Sequence, residues 1–366
     1  MSAAEQEAHD LVRGWMEQAG LDVSIDPAGN LYGRIHGASD AEEIWSGSHL
    51  DSVPQGGRLD GALGVVAALE AVERLGPQAR TIAVVAFRDE EGWRFGRGCF
   101  GSRALCGRLR ASELENVDRE GVSIAEAVRS LGFGPISYAG WLDRSPAAFV
   151  ELHIEQGPVL DALGASLGIV TSIAGLARLR VAFSGHGGHA GTTPMVRRRD
   201  ALVAAAGFVL GVKEAAEAHE GAVATVGHLT VEPNAANVVP ARVELLVDAR
   251  APEAGTLSTL VDEIQAAAGD ANVEYLGQLP PVEMDADLRA SLREVAEELG
   301  LLAPQLPSGA GHDAGVLAAA DVPAAMLFVR SRAGGVSHSP DEHSDDVDVA
   351  LAVDALELVL RRLSSR

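Results

Sequence analysis

The run Thr81–Phe87, TIAVVAF, is continuous, apolar and β-branched, and it empties without a linker into Arg88-Asp89-Glu90-Glu91-Gly92. A strand without alternation has no solvent face, so it belongs in a sheet covered on both sides, the arrangement of parallel α/β folds. The same signature recurs. Ile44-Trp45 leads into Gly47–Gly64, GSHLDSVPQGGRLDGALG, which carries His49, Asp51 and Asp60. Ala148–Leu152 leads into His153, Glu155 and Gln156, and Ala324–Val329 leads through a glycine-rich loop to His338. In open α/β sheets, ligands bind outside the carboxyl ends of the strands. Four apolar runs that each give way to a His or a Glu pair therefore predict one site assembled from distant loops.

Composition narrows the class. A chain of 366 residues carries a prior of two domains, or one large domain with an insertion. Its 47% hydrophobic content suffices for a full core without disulfide staples, so Cys99 and Cys106 are expected as reduced thiols of a cytoplasmic protein. The start, MSAAEQEAHDLVRGWMEQAG, lacks the basic segment and apolar core of a signal peptide. No apolar run approaches the ~18 residues that would suggest a membrane span. The net charge of −23, with Lys213 the single lysine, argues against nucleic acid and anionic membranes as partners. The acidity reads as solubility.

Residues 5–19 are predicted as a helix with Leu11, Trp15 and Met16 on one side and Gly20 at its C-cap. Short strands follow at Leu21–Ile25 and Leu31–Ile35, and a helix carrying Val65, Leu69, Val72 and Leu75 stops at Gly76-Pro77. From near Ile173 to near Glu283 the pattern changes. Strand Leu176–Phe183, helix Arg198–Ala218, strands Ala224–Val231 and Val243–Ala249, helix Leu257–Ala268 and strand Val273–Leu276 form the order β-α-β-β-α-β, which is ferredoxin-like. The expected organisation is therefore an α/β catalytic domain with a mixed, mostly parallel sheet, contributed by residues 1–172 and 284–366. An α+β ferredoxin-like domain, residues 173–283, is inserted into it. Beyond the insert, Leu288–Leu301 is helical, Pro304–Gly311 is a loop, and His312-Asp313 opens a short helix.

The strand-end set supplies His49, Asp60, Glu91, His153 and His338, three imidazoles and two carboxylates. Zinc or manganese accepts such donors, and five exceed what one tetrahedral catalytic ion needs with a position left open. They suit two ions about 3.5–4 Å apart that share a bridging carboxylate. Asp60, in the glycine-rich LDGALG turn, is the candidate bridge, and Asp51 is placed to hold the His49 imidazole through its other nitrogen. Adjacent Glu90 and Glu91 suggest a division of labour, one binding metal while the other moves a proton to the leaving nitrogen.

These residues carry a resemblance. GSHLDSVPQGGRLDGALGV, RDEEGWRFGRGCFGSRAL, LHIEQGPVL, GHAGTTPM, SGAGHDA and GGVSHSPDEHS, in this order, resemble the amidase/carbamoylase branch of the M20 metallopeptidase family. That branch includes N-carbamoyl-L-amino acid hydrolases, allantoate amidohydrolases and β-ureidopropionases. The likeness runs from about Gly47 to the C-terminus, and HIEQGP and HAGTTPM separate the branch from peptidases and aminoacylases.

The resemblance implies that His49, Asp60, Glu91, His153 and His338 bind two divalent ions, with zinc, manganese, cobalt and nickel all accepted by the set. It implies that Glu90 is the general base and that Gln156 contacts substrate near the metals. His189 would stabilise the oxyanion in the site of the other subunit of a homodimer formed through the inserted domain. Asn237 and Arg250 would grip the substrate carboxylate, a task that the planar guanidinium fork suits. His312 and Asp313 fall close to the site. Relatives usually begin further upstream, so an N-terminal helix near the site mouth is expected to be missing. His186 and His343 receive no role, and Cys99 and Cys106, flanking GSRAL, are expected to be structural. The activity implied is hydrolysis of the ureido C–N bond of an N-carbamoyl-L-amino acid, with allantoate as the close alternative. A peptidase or aminoacylase, and a metal-holding scaffold without activity, are the more distant ones.

Overall fold

The structure, a computed structural model, describes residues 1–142 and 145–365. The chain divides into two compact units, Met1–Thr171 with Glu283–Arg366, and Ser172–Val282.

The first unit is built on one mixed sheet. Strands Ile82–Phe87, Ile44–His49, Ala148–Ile154 and Ala324–Val329 lie side by side in that order and run parallel. Every residue of the four is buried; Ile82–Phe87 and Ala324–Val329 are apolar throughout, while Ile44–His49 also buries Ser46 and Ser48 and Ala148–Ile154 also buries Glu151. Antiparallel strands flank them, Leu31–Ile35 and then Asp22–Ile25 on one side and Leu167–Ile173 on the other. Parallel pairing is thus confined to the centre of the sheet. Register sets the functional edge: His49 pairs with Phe87 and His153 with Phe328, so the carboxyl ends of the central strands open onto one rim.

Helices Ala62–Leu75, Ala286–Glu298 and Asp346–Ser364 pack Val65, Leu69, Val72, Leu292, Val295, Leu356 and Val359 into one apolar core with the strands. Each large side chain removed from water there contributes about 1.5–3 kcal/mol. A second cluster, with Phe95, Phe100, Leu109, Ile124 and Val128, lies under the segment that follows Ile82–Phe87. Its short helices, Phe100–Leu105 and Ile124–Ser130, have too few turns to show a clear period in the sequence.

The first helix, Ala3–Gln18, differs from the prediction in its inward face. Glu5, His9, Val12 and Met16 are buried, whereas Leu11 and Trp15 are exposed. The inversion follows from polar partners: Glu5 Oε1 accepts the backbone N–H of Asp89 at 2.9 Å, so a carboxylate takes an inward position that hydrophobicity alone would deny it.

In the second unit the strands lie in the order Asn272–Leu279, Gly175–Ser184, Arg242–Ala251, Val223–Glu232, all antiparallel. Strand Gly175–Ser184 buries Ala177, Leu179, Val181 and Phe183, while Arg178 and Arg180 between them stay in reach of solvent. Phe208 and Val212 of helix Ala201–Glu217 and Leu257, Leu260 and Ile264 of helix Ala254–Ala268 join the buried strand residues in one core. This is the ferredoxin-like β-α-β-β-α-β order. A two-residue strand, Gly188–His189, pairs with Val238–Val239.

Candidate metal centre

The centre grows out of the strand that ends at His49. The chain leaves the sheet there, loops through a Gly- and Pro-rich stretch and returns at Asp60. Gly61 has φ +66°, and a Cβ on it would lie 2.3 Å from the His49 ring, so only glycine lets Asp60 stand against that imidazole. Asp60 then faces both ways. Its Oδ1 lies 3.2 Å from His153 Nε2 and 3.8 Å from His49 Nε2, and its Oδ2 lies 3.3 Å from His338 Nε2. His338 Nε2 is also 3.3 Å from Glu91 Oε2. Five residues, at or beyond the ends of four strands, thus fall into two groups that share one carboxylate: His49, Asp60 and His153, and Asp60, Glu91 and His338. The first group is wholly buried, while the His338 side chain of the second is half exposed.

The donor atoms fit a cation. His49 Nδ1 lies 3.0 Å from the Asp51 carbonyl oxygen, and His153 Nδ1 lies 2.9 Å from that of Ile154. A carbonyl can only accept, so each Nδ1 carries a proton, and each Nε2 is the nitrogen left to meet a cation. His153 Nε2 and Glu91 Oε1 are buried without a hydrogen-bond partner among the described residues, a costly state that a bound cation relieves.

Asp51 is used differently from the simple expectation. The imidazole of His49 is held by the Asp51 backbone carbonyl, while the carboxylate, 3.5 Å from Nδ1, accepts the backbone N–H groups of Glu90 and Glu91 at 3.0 Å each. One residue thereby aims His49 and sets the Glu-Glu pair. Glu90 Oε2 comes within 3.9 Å of His49 Nε2, beside the shared carboxylate. Its Oε1 accepts from the Cys99 thiol at 3.2 Å, a contact the sequence did not suggest.

Behind the donors runs a buried polar scaffold. Glu151 Oε1 accepts from the Ser48 hydroxyl at 2.6 Å and Oε2 from the Ala314 N–H at 2.9 Å. His312 Nε2 is 2.9 Å from Ser308 Oγ, and its ring packs 4.5 Å from that of His153. Asp313 accepts from the Ser102 hydroxyl. Glu151, His153 and His312 are close enough to suggest a third grouping. Because Glu151 has both oxygens occupied, they form a support and not a further centre. Glu151 escaped the sequence reading, although a carboxylate two residues before His153, hence on the same face of an apolar strand, was a readable signal. Glu155 caps helix Val159–Leu163 through the N–H groups of Val159 and Leu160. Gln156 donates through Nε2 to Asp60 Oδ2 at 3.0 Å, so its amide is engaged with the shared carboxylate.

Electrostatics follow from this crowding. Burial opposes charging of His49, but hydrogen bonding to Asp51 and the nearby carboxylates outweigh it and hold its pKa well above the usual value. Burial raises Asp60 too, yet the close approach of His153 and His338 overcomes that and keeps it far below the carboxylate range. Burial, with the Asp60 charge, lifts Glu91 to about 7. Burial drives Glu90 well above its ordinary value, against the pull of His49, and Asp313 to about 8. A carboxyl whose proton is lost with difficulty and regained readily is suited to carry one between two reacting atoms.

The remaining predicted residues lie in the second unit. His189 is exposed, its Nδ1 accepting the Gly191 N–H at 3.1 Å. Asn237 directly precedes Val238, the strand partner of His189, and its carbonyl accepts the Ala190 N–H at 2.9 Å. Arg250, on strand Arg242–Ala251, pairs through Nε with Asp248 Oδ1 at 2.8 Å.

A central parallel sheet whose strand ends gather a carboxylate-bridged set of imidazoles, with a further glutamate alongside, defines a class of metal-dependent hydrolases. The model for peptidase family M20/M25/M40 matches residues 45–362, and the chain belongs to that family. It is 42% identical, over 97% of its length and 90% of the relative's, to an N-carbamoyl-L-amino acid amidohydrolase of Geobacillus stearothermophilus. It is 38% identical, over 96% of its length and 89% of the relative's, to an allantoate amidohydrolase of Bacillus subtilis (strain 168). Among solved structures it is similar to a hydantoinase/carbamoylase family amidase from Burkholderia multivorans, with a TM-score of 0.91 and 34% identity, covering 100% of this chain and 92% of that one.

Proposed function

We propose that this chain hydrolyses the ureido C–N bond of an N-carbamoyl-L-amino acid, releasing the amino acid, ammonia and carbon dioxide. The observation that carries the proposal is the split carboxylate of Asp60, one oxygen toward His49 and His153 and the other toward His338, with Glu90 beside it. Its similarity to carbamoyl amino acid amidohydrolases supplies the substrate class. Two divalent ions, zinc or manganese with cobalt and nickel also compatible, would be held by His49, His153 and Asp60 and by Asp60, Glu91 and His338. When bound, such ions acidify water and polarise the scissile carbonyl.

Glu90 takes the proton of the attacking water and returns it to the leaving nitrogen. His189 donates to the developing oxyanion, while Asn237 and Arg250 receive the substrate carboxylate. Gln156 holds the Asp60 oxygen in place and faces substrate. The second unit is where two copies associate in our reading, and His189 then serves the other subunit's site. Leu202, Val203 and Leu210 on helix Ala201–Glu217, with Val223 and Leu229 on the edge strand, are exposed and support an interface there. No helix among the described residues is long and apolar enough to cross a membrane, and we place the enzyme in the cytoplasm.

Relatives named allantoate amidohydrolases, at 36–38% identity, make allantoate the second reading. Ammonia release from N-carbamoyl-L-methionine and from allantoate ranks the two, and failure with both refutes the ureido assignment. Glu90→Gln should cost about 10²–10⁴ in turnover with metal content unchanged. Retained turnover removes Glu90 from its role.

A further inference from the structure

Glu342 falls within GGVSHSPDEHS but received no role there, and it is buried, at 6% exposure, where the Asp60 and His338 loops meet. Its Oε1 accepts the backbone N–H groups of Leu59 at 2.8 Å and Asp60 at 3.0 Å. Its Oε2 accepts the Ser337 hydroxyl at 2.8 Å. The carboxylate sits where glycine makes room, since a Cβ on Gly57 would come within 2.1 Å of Oε1. Ser337 Oγ also lies 3.3 Å from Asp60 Oδ2 and receives a hydrogen bond from Gln156 Nε2 at 3.1 Å.

A proton count gives this arrangement a purpose. Ser337 has one hydroxyl proton and two candidate acceptors, Glu342 Oε2 and Asp60 Oδ2. An ionised glutamate can only accept, so the shorter contact claims the proton. Asp60 Oδ2, the oxygen that faces His338, keeps a lone pair that the serine would otherwise occupy. The same carboxylate ties the backbone entering Asp60 to the loop that carries His338.

We propose that Glu342 is a positioning residue for the outer, half-exposed cation position formed by Asp60, Glu91 and His338, and that it acts by holding the Ser337 proton away from Asp60 Oδ2. This rests on the two-ion reading above. At the inner position, His49 and His153 receive none of these contacts, and Asp60, common to both positions, receives there only the backbone contact that Glu342→Gln would keep. The two cations are therefore unequal, and Glu342 controls one of them.

The test uses Glu342→Gln, which preserves shape. The glutamine carbonyl must stay with the two N–H groups of Leu59 and Asp60, so its NH₂ turns to Ser337 and sends the serine proton to Asp60 Oδ2. Full-length, chelator-treated protein is titrated with Co²⁺ alone, followed by calorimetry and by the visible absorption of the bound ion. Wild type should take up two equivalents. Glu342→Gln should weaken one of them by about 10–100-fold, the cost usual for partners of metal-binding side chains, and leave the other within about threefold. Glu342→Gln with Ser337→Ala should recover most of the loss, because the competing proton is gone. Ser337→Ala alone should bind both ions as wild type does. Two unchanged affinities in Glu342→Gln, equal weakening of both, no recovery in the double variant, or loss of an ion in Ser337→Ala alone each overturn the inference. Uptake of fewer than two equivalents by wild type overturns the two-ion reading itself, and this inference with it.

Discussion

His9 offers a quantitative test of how the first helix is seated. It is 3% exposed, and neither ring nitrogen has a hydrogen-bond partner among the described residues. Burial, reinforced by the Arg88 guanidinium, pushes its pKa from 6.5 down to about 3. The folded protein therefore keeps His9 neutral, while the unfolded chain takes up a proton below pH 6.5. The contribution to stability is complete above that value and is lost as pH falls toward 3. With ~1.4 kcal/mol per pH unit below the unfolded pKa, the loss between pH 7.5 and pH 5 is about 2 kcal/mol from this one group. His9→Leu removes the proton and keeps an apolar side chain beside Val12 and Met16. Trp15, Trp45, Trp93 and Trp141, all four tryptophans, lie in the first unit, so fluorescence-monitored urea unfolding of chelator-treated protein reports that unit alone. Wild type should lose about 2 kcal/mol more than His9→Leu over that range. Equal losses would mean that His9 is not held neutral, and the helix would not be packed as described.

Other consequences concern the centre. Gly61→Ala puts a methyl 2.3 Å from the His49 ring at φ +66°, so it should lower metal retention after dialysis and cost at least about 1–2 kcal/mol of stability, and full retention of both would refute the close approach. Removal of metal by a chelator should lower Tm, because the buried donors lose the cation that pairs them, and added Zn²⁺ or Mn²⁺ should restore it. An unchanged Tm would sink the donor set. Burial holds the Cys99 thiol well above its usual pKa and Cys106 at about 11, so about one thiol in a thousand is ionised at Cys106 at pH 8. Iodoacetamide should therefore modify the folded protein far more slowly than the urea-unfolded chain, as read by mass spectrometry.

Those predictions rest on atoms of unequal visibility in the sequence. The five donors could be found because they gather at, or in the loops beyond, the ends of four apolar stretches, and in a parallel sheet such stretches end on one rim. Gly61 could be anticipated as a turn residue, but not as the position where a Cβ would strike His49. Main-chain partners were out of reach altogether. The carbonyl groups of Asp51 and Ile154 fix the tautomers of His49 and His153, and no side chain announces them. The first helix misled for a related reason, since its apolar positions Leu11 and Trp15 face outward while Glu5 turns in toward polar partners and His9 turns in beside it without one among the described residues. Periodicity records how apolar a residue is, not which buried hydrogen bond awaits it.

The same reasoning explains why the supporting shell resists a sequence reading even where the ligands do not. A ligand must be His or a carboxylate, so its type and its place after a strand both speak for it. A supporting residue needs only an acceptor of the right reach. Glu151 and Glu342 are each a carboxylate among the chain's 52 acidic residues, distinguished by partners 163 and more than 280 positions away. Charge on such residues is costly to bury, and each is compensated by donors on both oxygens. Replacing either by an isosteric amide therefore changes one proton's address while leaving the fold nearly intact. That is why metal affinity, rather than global stability, is the quantity in which the supporting shell should reveal itself.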